Sequence, residues 1–115
     1  MTQTGVMLVL SNVAAGYDEA EFDAWYDLHV TEVLEVPGVV GATRYRLADA
    51  QLPGSELDHR YLVVYELESD DLGGVRDRIL ATSGDRTHSP ALELDPLPVT
   101  AIFARIRERV TPGST

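Results

Sequence analysis

His29 is the residue of this chain best suited to move a proton near neutral pH, because an unperturbed imidazole titrates there. It stands four residues after Trp25 and four before Val33. Together with Phe22, Tyr26, Val30 and Leu34 these residues repeat at the three- and four-residue spacing of one helical face. The spacing therefore aims a titratable ring at an apolar interior. There it would be a general base for an acidic carbon or phenol, or a hydrogen-bonded core histidine. Phe22, Trp25 and Val33 on the same stripe are candidate substrate contacts. Glu32 lies one turn beyond His29 and could orient the ring. With Glu35 it could equally form a solvated surface, where acids in a last helical turn oppose the dipole.

Other polar groups are candidates by position. Tyr45, Tyr61 and Tyr65 alternate along strand-like segments, and could direct phenols into one pocket or simply pack, provided a buried hydroxyl finds a partner. Arg44 and Arg46 share the face opposite Tyr45. Arg44 is a candidate for binding a carboxylate or enolate, or for pairing with the surplus acids. His88, within Arg86-Thr87-His88-Ser89-Pro90, sits on a long connection of the kind that carries lids and functional side chains. No His-x-His or His-x-x-x-His pair is present, so no metal site is expected. A Gly-rich phosphate loop is also missing.

The elements that must position these groups follow from local signals. Gly5 to Asn12 reads as a first strand, apolar at every position of Val6–Leu10. Asp18 and Glu21 have capping-box spacing, and Tyr17 with Phe22 has that of a hydrophobic staple. The helix they start should close near Leu34 or Glu35, because Pro37 disfavours helical geometry at Val36. A second strand is expected over Val39 to Leu47, a hairpin-type connection over Ala48 to Asp58, and a third strand over His59 to Glu68. Ser69-Asp70-Asp71 opens a second helix with an inward stripe of Leu72, Val75, Ile79 and Leu80, ended by Gly84. A last strand is expected over Val99 to Val110, with Ile102, Ala104 and Ile106 on one face. The domain is expected to span residues 1–110, with a flexible tail over 111–115.

This order, β-α-β-β-α-β, defines an α+β ferredoxin-like fold with a four-stranded antiparallel sheet. Two helices cover one face of such a sheet, yet the first and third strands are apolar on both. A second copy packed sheet against sheet is the economical cover, so a homodimer is expected.

The pattern Phe22-x-x-Trp25-Tyr26-x-x-His29-x-x-Glu32-Val33, followed by Val36-Pro37-Gly38, Arg44-Tyr45-Arg46 and Tyr61-Leu62…Tyr65-Glu66-Leu67, resembles the EthD-like branch of the dimeric α/β-barrel superfamily. The resemblance is carried by Tyr17 to Leu67, and beyond that by element order. It implies a small cofactor-independent enzyme acting on an aromatic or polyketide-like molecule by cyclisation, isomerisation or oxygenation. It equally admits an accessory protein that binds such a molecule, or a haem-binding member. By this resemblance His29 matches the family's helix histidine, while Trp25, Tyr26 and Glu32 match its neighbours and add Tyr26 and Glu32 to the candidate catalytic set. The chain departs at Leu28, where an acid is common, and at Thr31, where proline is common. The first departure removes a potential carboxylate partner of His29.

Composition sets the outer limits. The 115 residues suffice for one core, and 44% hydrophobic with 24% charged residues describes a folded chain. Nine basic residues against nineteen acidic ones give a net charge of −10, which repels nucleic acid and anionic membranes. With no cysteine there are no disulfides and no thiol chemistry. The opening residues carry no basic leader and no run is long enough to span a bilayer, so a cytoplasmic location is the expectation.

Overall fold

A computed structural model of the chain describes residues 1–113; Ser114 and Thr115, at the end of the expected tail, lie outside the described residues. Strands β1 (Gln3–Ser11), β2 (Val39–Arg46), β3 (Tyr61–Ser69) and β4 (Val99–Ala104) and helices α1 (Glu19–Val33) and α2 (Leu72–Ala81) follow one another as β-α-β-β-α-β. The sheet is antiparallel throughout, in the order β2-β3-β1-β4. No helix among the described residues is long and apolar enough to cross a membrane.

Helix α1 starts where its cap demands. The Asp18 carboxylate accepts from the Glu21 N–H at 2.8 Å, and the Asp18 N–H donates to the Glu21 carboxylate at 3.2 Å. Tyr17, the outer half of the expected staple, is 41% exposed. At the other end Leu34 caps the helix, and the chain turns through Pro37 and Gly38, whose φ of +101° is a conformation glycine adopts without steric cost. A β-carbon at Gly38 would lie 2.5 Å from Val75 Cγ2, so α2 packs directly against the turn. Arg78 seals it by donating twice to the Pro37 carbonyl, at 2.9 and 3.2 Å.

One face of the sheet receives both helices. Met7, Val63, Tyr65 and Leu67 from the strands meet Phe22, Tyr26 and Val33 of α1 and Val75 of α2 in the core. On the other face Val6, Leu8, Leu10, Leu62 and Val64 form an apolar surface with no layer over it, flanked by Tyr45, Val99 and Phe103, which are about half exposed. This two-sided apolar pattern is the one read from the strands.

Beyond shifts of one or two residues at strand ends, two element ends and the placement of Leu80 differ from the sequence reading. The last strand stops at Ala104 rather than Val110, because its partner β1 begins at Gln3 and the final backbone bond is from Arg105 to Thr4. Ile106, expected to share a strand face with Ile102 and Ala104, lies beyond the strand and is exposed as a result. Helix α2 ends at Ala81 with Thr82 as its cap, and Gly84 falls inside a following 3-10 turn, Ser83–Asp85. Leu80 is 66% exposed. Standing one residue after Ile79, it is rotated about 100° away from the stripe that Leu72, Val75 and Ile79 form.

Candidate functional site

Between the sheet and the helices lies a cavity of about 260 Å³. Helix α1 supplies Trp25, Tyr26, His29 and Val33; the sheet supplies Met7, Val9, Tyr65 and Thr100. Ile79 and Ser83 come from α2 and the 3-10 turn, and Arg86, His88, Leu92 and Pro98 from the connection leading to β4. A hollow of about 460 Å³ opens on the uncovered face, lined by Val6, Val40, Phe103, Glu66, Glu68 and the arginines 105, 107 and 109 among others. It is the larger of the two, but neither His29 nor His88 reaches it.

His29 is stacked on Trp25, with ring centroids 4.8 Å apart and 26° between planes. Tyr26 meets it edge-on at 5.5 Å. The imidazole Nδ1 is shut away from water and has no hydrogen-bond partner. Such orphaned atoms are rare in folded proteins and costly. Burial pushes the imidazole pKa below its ordinary value of 6.5; the Arg86 guanidinium and His88 push the same way, while the Glu32 carboxylate opposes them. His29 is therefore neutral, and able to accept a proton, at pH 7.

Around it the phenols are held protonated. Burial raises the pKa of Tyr26, only partly offset by the Ser11 hydroxyl and Arg44. Ser11 Oγ is itself buried without a completed hydrogen bond. Burial raises Tyr65 well above the usual phenol range.

The long connection is not a free lid. Glu32 accepts from the Thr87 N–H at 3.0 and 3.1 Å and from the Thr87 hydroxyl at 3.1 Å. The Trp25 indole N–H donates to the Thr87 carbonyl at 2.9 Å. Farther along, Ala14 donates to the Ala91 carbonyl, and a His59 ring nitrogen bonds the Leu97 carbonyl at 2.9 Å. These ties hold the segment that carries Arg86 and His88 along the cavity wall. The carboxylate of Glu32 is thus engaged with Thr87 rather than bonded to the His29 ring.

The residues singled out from sequence divide into three groups. His29, Trp25, Tyr26, Val33, Tyr65 and His88 line one cavity. Phe22, fully buried, and Tyr61 stand behind it, their rings 4.9 Å apart. Arg44 and Tyr45 do not line it. Arg44 lies under α1, paired with Asp23 at 2.8 Å and Asp27 at 3.5 Å, its guanidinium 4.7 Å from the Tyr26 ring centroid. Tyr45 points to the uncovered face, because alternation along β2 sends it opposite to Arg44. Sequence reasoning missed Arg86, although it stands two residues from His88. Nothing in its local sequence distinguishes it from the arginines that find acids.

Among the described residues no three His, Cys, Asp or Glu side chains converge as metal ligands would. At about 260 Å³ the cavity lies just below the roughly 300–1,000 Å³ typical of sites for drug-sized ligands.

No protein-family model matches the chain, and no curated protein does either. Solved structures do. A candidate monooxygenase from Shewanella loihica shares 17% identity over 94% of this chain and 99% of its own, with a TM-score of 0.58. An EthD-family protein from Bacillus halodurans shares 15% over 89% of this chain and 99% of its own, with a TM-score of 0.57. SnoaB, a cofactor-independent oxygenase from Streptomyces nogalater solved as a point mutant, shares 16% over 96% and 97%, with a TM-score of 0.50. The chain shares the ferredoxin-like fold of these structures.

Proposed function

We propose that this protein is a small acid–base enzyme in which His29 takes a proton from an acidic phenol or 1,3-dicarbonyl compound. The observation that carries this reading is a neutral imidazole, stacked on Trp25 in an apolar cavity, with a buried nitrogen left unbonded. A substrate of this class supplies much of its own reactivity, so one base and a largely apolar, aromatic-walled cavity are sufficient help for isomerisation or cyclisation. A hydroquinone-type substrate, once ionised, is also electron-rich enough to reduce dioxygen. The likeness to a candidate monooxygenase and to a cofactor-independent oxygenase supports that branch of the chemistry.

The working unit in this reading is a homodimer closed sheet against sheet. The uncovered apolar face supports it.

A second reading has the cavity holding an aromatic molecule without turnover. What favours it is Glu32: committed to Thr87, it leaves His29 without a carboxylate to orient the ring. The test separating the two uses one- and two-ring hydroquinones and cyclic 1,3-diketones, following oxygen consumption, product mass and deuterium exchange at carbon. His29→Gln should lower turnover by about 10²–10⁴-fold with its melting temperature nearly unchanged. Full activity in folded His29→Gln would rule out the general base. Binding without turnover in the wild type would establish the binder.

A further inference from the structure

Arg86 is the charged group of the cavity that His29 chemistry does not account for. In a chain with nineteen acids against nine bases, its guanidinium has no carboxylate partner among the described residues. It is held instead by neutral acceptors, donating to Thr82 Oγ1 at 2.8 Å and to the Ile79 carbonyl at 2.7 Å. Glu32, Glu35 and Asp85 border a groove on its other side, yet none pairs with it. Arg44, by contrast, has found two acids. A partly buried guanidinium held in place by uncharged groups has no carboxylate in ion-pair contact among the described residues. It stands on the wall of an apolar cavity, where an anion is least screened.

Size narrows the ligand. A cavity of about 150 Å³ accommodates benzene, so about 260 Å³ here has room for one ring or two fused rings, not for an extended polycycle.

We propose that Arg86 is the anion-binding residue of this cavity, and that the cavity takes the conjugate base of a one- or two-ring phenol or enol. The substrate O–H bond breaks, the proton passes to the His29 imidazole, and the electron pair stays on the oxygen that faces Arg86. The proton's destination rests on the acid–base reading given above; the preference for an anion does not.

The cavity contains the chain's single tryptophan, Trp25, so quenching of its emission reports occupancy. The probes are 4-nitrophenol at pH 8, where it is a phenolate, and nitrobenzene as its neutral counterpart. Wild type should bind the phenolate more tightly than nitrobenzene. Arg86→Gln should weaken phenolate binding about 10–100-fold and leave nitrobenzene binding unchanged. Arg86→Lys, which keeps the charge, should retain part of the preference, and it decides the matter if the glutamine variant does not fold. Unchanged phenolate binding in Arg86→Gln, loss of all preference in folded Arg86→Lys, or no preference in wild type would overturn the assignment. His29→Gln should keep the phenolate preference, so a failed turnover assay and a failed anion site give different results.

Discussion

Replacing Glu32 with alanine tests whether the connection to β4 is built into the site or merely lies over it. The change removes the acceptor of two donors, the Thr87 N–H and the Thr87 hydroxyl. Thr87 is exposed, so water takes over the donors and each bond counts at the net value of about 1 kcal/mol. Against that loss, removing an acid from the last turn of α1 relieves an unfavourable dipole interaction of about 0.3–1 kcal/mol. The net destabilisation is about 1–1.7 kcal/mol. Unfolding entropy near 2.1 cal/mol/K per residue makes 1 kcal/mol about 4 °C for a chain of this length, so melting should fall by about 4–7 °C at fixed protein concentration. The local effect should exceed the global one. Thr87 is also the acceptor of the Trp25 indole, so emission from Trp25 should shift to the red and exchange at the Thr87 amide should speed up. Arg86 and His88, carried by the released segment, would lose their fixed positions. Unchanged Thr87 exchange and unchanged Trp25 emission in Glu32→Ala would refute the claim that Glu32 anchors the segment.

Three further outcomes are expected. His29 has its folded pKa below 6.5, so between that value and 6.5 the unfolded chain binds more protons, and stability rises with pH through this window. Acidification from pH 7 should therefore lower the melting temperature of wild type more than that of His29→Gln, and parallel pH curves would contradict this. Val64→Asp, mid-sheet on the uncovered face, should reduce the sedimenting mass from twice 12.6 kDa to 12.6 kDa while the far-UV circular dichroism is kept; a wild-type chain that sediments as a stable monomer would remove the dimer. Gly38→Ala combines a positive φ with a contact of 2.5 Å to Val75. It should cost about 2–4 kcal/mol, read as a lowered urea midpoint.

Local interactions were legible in the sequence because they are settled within a few residues. The capping box at Asp18, the turn at Pro37-Gly38 and the inward stripe carrying His29 all depend on spacings of three or four. The element order followed from the same signals, and with it the four-stranded sheet and its uncovered apolar face. Tertiary structure alone decided what alternation leaves open. A period of two says that Arg44 and Tyr45 part company, not which of them goes under the helix. The answer came from Asp23 and Asp27 on α1, which draw Arg44 beneath the Tyr26 ring and leave Tyr45 outside. The limit of β4 was likewise set by its partner strand. The cavity wall opposite His29 was hidden for the same reason: Arg86 and His88 are brought there by bonds from Glu32 and Trp25 to Thr87, 55 and 62 residues away. Contacts at that separation follow from how the connection folds back over α1, and no local periodicity encodes them.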